Sequence, residues 1–384
     1  MKNLALFAAL LAGCTSADRT EPGQCEYYLD LWQHPWAVAR YFNVEPFSAG
    51  HYAKMEPVWK TLAGAGVNVL TTTLVDLPWN HQCYDGYHSM VKRTRKNDGT
   101  WEFDYSLFDE YVAFGKKCGI GPDIACYTMC PWSYIVDWVD EDGNTVKGSA
   151  VPGTAEFEDY WGAFLTDFSA HLKAKGWFDH TYIAMDERSP EDVAVIARFV
   201  QEKAPGMKIS MAGNRMPSDF AGITIDSYSQ ILNFVTPEFL EEAKERRAKG
   251  YVTTYYVCCW PERPNTFTTS DINEAFYVGV YPALVGLDGF LRWAANSWPE
   301  DPYKDASYGN WAPGDTFLVM PNGEMSDRMA MLCEGIEAAK KLRKLGREGK
   351  IDLGQIALKY SGDKAIAGEI DFAQFRDFIE DLVR

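Results

Sequence analysis

The sequence predicts an α/β chain folded as a single (β/α)8 TIM barrel, and three observations carry that expectation. From residue 26 onward, short runs rich in β-branched and aromatic residues alternate eight times with helical patterns, the signature of a parallel sheet with crossover helices. No glycine-rich turn leads from a strand into a helix. Gly64-Ala65-Gly66 lies between a helix and a strand, the reverse order, which favours a closed barrel over a doubly wound open sheet. The runs that follow strands are polar and aromatic, as in Trp32-Gln33-His34-Pro35-Trp36, Asp76-Leu77-Pro78-Trp79-Asn80-His81, Tyr127-Thr128-Met129-Cys130-Pro131-Trp132 and Trp293-Ala294-Ala295-Asn296-Ser297-Trp298. Barrels carry their chemistry at these strand ends.

In chain order, residues 1–14 read Met1-Lys2-Asn3, an apolar run at 4–12, then Gly13-Cys14. This Leu-Ala-Gly-Cys ending resembles a bacterial lipoprotein signal and predicts lipidation of Cys14. A polar, proline-containing tether follows at 15–25, as expected between an anchor and a domain. The barrel is expected over 26–350, with strands at 27–32, 68–74, 121–127, 181–185, 208–212, 223–228, 251–258 and 289–293. Helices are expected at 55–65, 106–118, 157–175, 190–202, 237–249, 271–284 and 327–345, with a short gap after the fifth strand. Ser189-Pro190-Glu191-Asp192 opens one helix with a capping serine, a proline at the first helical position and acids that suit the dipole, and Thr236-Pro237-Glu238 repeats the device. Residues 351–384 are expected as a C-terminal appendage. Beyond the N-terminal run, no segment is long and apolar enough to span a bilayer.

With 47% hydrophobic and 14% aromatic residues in 384, the chain has material for a large core. Its 54 acids against 37 lysines and arginines give a net charge of -17, which repels phosphate backbones and argues against a nucleic-acid partner. Lys92-Arg93-Thr94-Arg95-Lys96 is read as a solvated loop. Thirteen tryptophans and 21 tyrosines supply flat apolar faces of the kind that pack against sugar rings. Besides Cys14, eight cysteines remain, with no zinc spacing; Cys258-Cys259, with apolar flanks, is expected as a pair of buried, inert thiols. No P-loop, Gly-x-Ser-x-Gly elbow or His-Glu-x-x-His occurs, and Ser89-Met90-Val91-Lys92 lacks the Lys-Thr-Gly partner of the serine enzymes whose Ser-x-x-Lys it matches. No metal or other cofactor is expected.

The chemistry concentrates in Tyr182-Ile183-Ala184-Met185-Asp186-Glu187, an apolar strand that ends in two acids. Ser189 already caps the helix that follows, so both carboxylates remain for other work. A glycosidase pair that straddles the scissile bond sits about 5 Å apart for retention or 6.5–9.5 Å for inversion, a poor match for consecutive residues. Adjacent acids suit a substrate-assisted route, in which the 2-acetamido group of the sugar attacks its own anomeric carbon. One acid then orients and polarises the acetamido N–H, and the other protonates the leaving oxygen.

The chain resembles glycoside hydrolase family 123, the β-N-acetylgalactosaminidases. The resemblance rests on Asp186-Glu187, on Asp30-Leu31-Trp32-Gln33-His34-Pro35-Trp36-Ala37-Val38-Ala39-Arg40-Tyr41, on Ser89-Met90-Val91-Lys92 with Phe103-Asp104-Tyr105, on Gly289-Phe290-Leu291-Arg292-Trp293-Ala294-Ala295-Asn296-Ser297-Trp298-Pro299, and on Gly314-Asp315-Thr316-Phe317-Leu318-Val319. It implies a (β/α)8 catalytic barrel, retention of configuration, an oxazoline-like intermediate and no metal. Members usually carry an N-terminal β-sandwich before the barrel, and that domain is expected to be absent from this sequence.

Carried over by position, Asp186 is expected to polarise the acetamido group and Glu187 to act as general acid and then base. A charge on Asp186 is expected to disfavour ionisation of Glu187. Trp293 is expected as the floor under the sugar, with a plug of the barrel as the alternative, and Asn296 as a partner for a hydroxyl. Tyr228 and Tyr256 are expected to offer phenols to the acetamido carbonyl, or else to fill the core. His34 is expected to touch a ring hydroxyl or to brace its loop. The expected activity is removal of terminal β-linked N-acetylgalactosamine from glycans, with the protein held at a bacterial cell envelope by its lipid anchor alone. A barrel glycosidase for another sugar and a lipid-anchored, non-catalytic carbohydrate-binding protein are the alternatives.

Overall fold

The computed structural model describes residues 26–220 and 222–384; the signal segment, Cys14 and the tether at 15–25 lie outside the described residues. Twelve strands follow one another among them: β1 (Tyr28–Leu31), β2 (Val69–Thr73), β3 (Lys92–Arg95), β4 (Trp101–Asp104), β5 (Asp123–Tyr127), β6 (Ile135–Asp140), β7 (Thr145–Ser149), β8 (Thr181–Met185), β9 (Lys208–Gly213), β10 (Ser227–Ile231), β11 (Val252–Tyr256) and β12 (Gly289–Arg292). Those with every residue buried, such as β2, β5 and β8, read as continuous apolar or threonine runs because both faces are covered, by helices outside and by packed side chains inside. They belong to one parallel eight-stranded sheet in the order β1-β12-β11-β10-β9-β8-β5-β2.

Side chains close the barrel between its first and last members. A single bridge, Leu29 with Val67, ties β1 to the segment that leads into β2, and the Asn68 amide N–H donates to Leu29 O at 2.8 Å. Two buried amide side chains supply what a ladder would otherwise provide. Asn68 Oδ1 accepts from Leu29 N at 2.7 Å, while Gln33 Oε1 accepts from Thr71 N at 2.8 Å and Gln33 Nε2 donates to Val69 O at 3.1 Å. On the other flank of β1, Gly289 of β12 lies where a Cβ would stand 1.8 Å from Tyr28 O, so only glycine permits that approach.

All eight expected barrel strands are present, one of them displaced. Residues 223–226 are irregular, and the sixth barrel strand is β10 at Ser227–Ile231. Ile223 and Ile225 mimic strand alternation, but the Asp226 carboxylate takes the hydrogen bond of Ile209 N at 2.9 Å, and backbone bonding to β9 begins at Asp226, whose N–H donates to Ile209 O at 2.8 Å. After β9 there is a 3-10 turn, Pro217–Asp219, in place of an α-helix, which accounts for the short gap. The expected caps form: Ser189 accepts from Asp192 N and Thr236 from Phe239 N, each followed by proline.

One feature departs from the sequence reading. Lys92-Arg93-Thr94-Arg95 is strand β3 of a four-stranded sheet, order β4-β3-β6-β7, built from excursions after β2 and β5. Strand alternation turns Arg93 inward, where its guanidinium lies 4.1 Å from the centre of the Phe164 ring and donates to Leu74 O. The segment 351–384 folds as helices Leu353–Lys359, Gly362–Ile366 and Phe372–Val383 against the helix Ile272–Val285. Tyr277 of that helix donates to Tyr360 O at 3.0 Å and packs on Phe375 at 5.1 Å, and Phe375 and Ile379 have no exposure.

Candidate active site

Strand β8 is buried along its length, and the chain leaves it at Asp186 and Glu187, at the carboxyl mouth of the barrel. A cavity of about 210 Å³ opens there, with both acids, Trp32, Trp79, Trp132, Tyr256, Trp293 and Trp311 in its wall. It is smaller than the roughly 300–1,000 Å³ usual for drug-sized ligands, which suits one sugar ring better than a chain.

The two acids have opposite surroundings. Asp186 is 7% exposed, and its Oδ2 accepts the indole N–H of Trp132, whereas its Oδ1 is buried without a partner. Burial raises its pKa to about 6, with a smaller upward push from Glu187, against the lowering effects of the Trp132 hydrogen bond and the Arg188 charge. Glu187 is exposed, and side chains from the ends of β9 and β11 hold its carboxylate. Tyr256, at the end of β11, donates to Oε1; Asn214, one residue beyond β9, donates from Nδ2 to Oε2 at 3.2 Å. The Tyr256 phenol is pushed well above its ordinary pKa by burial and by the Glu187 charge, so it stays a donor. Burial, which adjacency in sequence does not reveal, acts on Asp186.

Aromatic rings form much of the remaining cavity wall. Trp32 stacks on Trp79 at 4.9 Å, and Tyr127 closes against both at 4.5 and 5.0 Å. Trp293 is locked from behind, its indole donating to Asp315 Oδ1 at 3.2 Å. Asp315 is itself paired with Arg292 at 2.6 Å, both side chains being fully buried. Trp311 lies 5.9 Å from Trp293 and donates to Gln82 O at 2.9 Å, tying two loops across the rim. Rigid indole faces beside two carboxylates suit a ligand with an apolar C–H face and polar edges, which describes a pyranose.

The structure thus brings Asp186, Glu187, Tyr256 and Trp293 together at one cavity and keeps three other expected residues away from it. His34 and Asn296 have no exposure and bond each other reciprocally, His34 N to Asn296 Oδ1 at 2.9 Å and Asn296 Nδ2 to His34 O at 3.0 Å. His34 also caps the helix Pro35–Phe42 and stacks on Tyr87 at 3.7 Å, and burial lowers its pKa to about 3, so it is a neutral brace. Tyr228 lies within β10 rather than after it, and donates its hydroxyl to Arg215 O at 2.8 Å. Tyr256 holds Glu187. Cys258 and Cys259, expected to be buried, stand in the cavity wall with Cys259 exposed. Apolar flanks indicate where a backbone is buried, and the turn after β11 swings these two side chains to the rim.

Sequence reasoning missed Trp32, Trp79, Trp132 and Trp311 as cavity residues, and Asn214 as a partner of Glu187. The first three lie in the aromatic runs after strands, where position alone marked them; Asn214 directly follows a strand end. No group of three histidine, cysteine or acidic side chains among the described residues is placed to hold a metal.

Comparisons with known proteins agree with this geometry. The family model for the glycoside hydrolase 123 catalytic domain matches residues 32–345. A family 123 glycoside hydrolase from Clostridium perfringens, the subject of a structural analysis of glycolipid glycan hydrolysis, is 29% identical with a TM-score of 0.79, over 90% of this chain and 63% of that one. The chain therefore spans less than two thirds of that neighbour's length. An exo-β-1,4-mannosidase from Opitutaceae bacterium strain TAV5 is 13% identical with a TM-score of 0.49, covering 83% of this chain and 60% of that one. A family 5 mannosidase from Rhizomucor miehei is also 13% identical, with a TM-score of 0.41 over 83% of this chain and 94% of that one. No curated protein matches. On the family match across the barrel, the chain belongs to glycoside hydrolase family 123.

Proposed function

We propose that the protein is a retaining exo-β-N-acetylgalactosaminidase that uses the acetamido group of its substrate as nucleophile. The observation that carries this reading is the unequal pair on one strand end: Asp186 sunk beneath Trp132 with a buried, unpartnered oxygen, and Glu187 exposed at the rim. An ionised carboxylate with one donor is under-satisfied, and an acetamido N–H supplies the missing bond. Polarised in this way, the acetamido oxygen attacks the anomeric carbon while Glu187 gives a proton to the departing oxygen. Glu187 then takes a proton from water as the oxazoline-like intermediate opens. Tyr256 and Asn214 keep the Glu187 carboxylate still during both transfers. Two attacks at one carbon give retention.

The cavity size supports action on a single terminal residue. The choice of galactosamine comes from the family, and the description of the Clostridium relative as acting on glycolipid glycans supports a glycan end as substrate. Nitrophenyl β-N-acetylgalactosaminide, tested beside the glucosaminide and the plain galactoside, is expected to be turned over fastest, and a thiazoline mimic of the intermediate is expected to inhibit potently. Preference for the plain galactoside, or indifference to the thiazoline, would contradict acetamido participation.

We further propose that residues 1–14 direct lipidation of Cys14, which holds the enzyme at the cell envelope through 15–25. Radiolabelled fatty acid incorporated into the full chain but not into Cys14→Ser supports this; equal labelling of both contradicts it.

A further inference from the structure

The thiols of Cys258 and Cys259 take no part in the acid–base scheme, yet they belong to the wall of the sugar cavity. They follow Tyr256 by two and three residues on the turn that leaves β11. Their sulfurs are 4.0 Å apart. Cys258 is anchored, its amide donating to Trp260 O at 3.2 Å and its carbonyl accepting from Asn265 Nδ2 at 2.9 Å. Cys259 is exposed, whereas the other described cysteines, Cys83, Cys118, Cys126, Cys130 and Cys333, are buried or half-buried. A reagent in solution therefore meets Cys259 first.

We propose that Cys258 and Cys259 form a reversible redox pair in the cavity wall, closed to a disulfide by low-molecular-weight disulfides of the glutathione type, and that closure lowers turnover by shifting the turn that carries Tyr256. Cys259 is the exposed thiol, while Cys258 is half-buried and donates its S–H to Trp260 O at 3.5 Å, which makes Cys259 the attacking sulfur and Cys258 the resolving one. In the first step the Cys259 thiolate attacks one sulfur of the external disulfide, forming a mixed disulfide and releasing one external thiolate. In the second, Cys258 loses its proton and attacks Cys259 Sγ, releasing the other. The two cysteines lose two electrons and two protons in all, and the external disulfide gains them as two thiols.

Geometry makes the closed form both reversible and consequential. Adjacent Cα atoms lie about 3.8 Å apart across a trans peptide, short of the roughly 4.4–6.8 Å that an unstrained disulfide prefers, so the ring is easily reduced. Closure also draws the sulfurs from 4.0 Å to about 2.05 Å, so the backbone beside Tyr256 must move. Tyr256 positions Glu187, and a misplacement of about 1 Å at such a group costs up to about a hundredfold in rate.

The activity half of this proposal rests on the glycosidase reading above, so the test includes a readout that needs no substrate. Full-length protein is reduced, desalted and treated with oxidised glutathione. The peptide containing Cys258 and Cys259 is weighed by mass spectrometry, and kcat/KM on the nitrophenyl substrate is measured before treatment, after it and after dithiothreitol. We expect that peptide to lose two hydrogens, kcat/KM to fall about ten- to a hundredfold, and dithiothreitol to reverse both. Cys258→Ser is expected to accumulate a glutathione adduct on Cys259, and Cys259→Ser to take up none. An unchanged peptide mass, an adduct on wild-type Cys259 that never resolves, or ring closure with unaltered kcat/KM overturns the proposal. If no glycoside is turned over, the function proposed above fails, and the mass reading alone decides the pair.

Discussion

Asp186 and Glu187 are neighbours in sequence and opposites in environment, and their variants should diverge accordingly. The folded pKa of Asp186, about 6, is above its unfolded value of 3.8, so the folded state holds the proton more tightly and the ionised form costs stability. That cost is absent below about pH 4, grows through the window between the two values, and is fully present above about pH 6. Asp186→Asn is therefore expected to raise the melting temperature at pH 7.5, by up to about 3 kcal/mol of stability, with the gain vanishing near pH 4. The same change should cut kcat by about 10²–10³-fold, because a neutral amide polarises an N–H poorly. Turnover by the wild type should fall off below about pH 6 as Asp186 takes up its proton, which a pH profile of kcat/KM reads directly. Glu187→Gln should lose about 10²–10⁴-fold on a glycoside with a poor leaving group and less on the nitrophenyl compound. Near-normal turnover of the poor leaving group would remove Glu187 from its role.

At the scale of elements, the barrel depends on one seam and one glycine. Gln33→Leu leaves the Thr71 amide and the Val69 carbonyl buried without partners, at about 1–3 kcal/mol each, and urea denaturation should show the combined loss. Gly289→Ala sets a methyl against Tyr28 O and should be worse, since backbone atoms cannot give way as a flexible side chain does. These positions also show where sequence was mute. Alternation and caps revealed every barrel strand and the helix that follows the acids, because burial and capping are local demands. The side chain that ends a ladder, as Asp226 does before β10, or replaces one, as Gln33 does, acts across the fold and leaves no local pattern. The same reason hid Trp132 as the partner of Asp186. Fifty-four positions separate them, and only the approach of two strand ends brings them together.

The described residues form a barrel with a helical layer added behind it. Helix Ile272–Val285 is buried on almost every side because strands and rings cover its inner face while the segment 351–384 covers another. Ending the chain after Lys350 should bare Tyr277 and Phe276, lower the denaturation midpoint and raise binding of a hydrophobic dye. Unchanged stability would mean that the layer is an ornament. Composition made the size of the core legible, and the aromatic runs located the face that carries the cavity. Whether a given ring lines the cavity or braces a loop was settled only by tertiary contacts, as His34 and Asn296 illustrate by satisfying each other.

The central claim is that the substrate supplies the nucleophile. It is tested most directly by measuring kcat on a series of nitrophenyl N-acetylgalactosaminides whose acetamido methyl carries zero, one, two or three fluorines. Fluorine weakens the acetamido oxygen as a nucleophile while leaving the leaving group and sugar ring unchanged. Turnover is predicted to fall steeply with each fluorine, and a flat series would contradict the account.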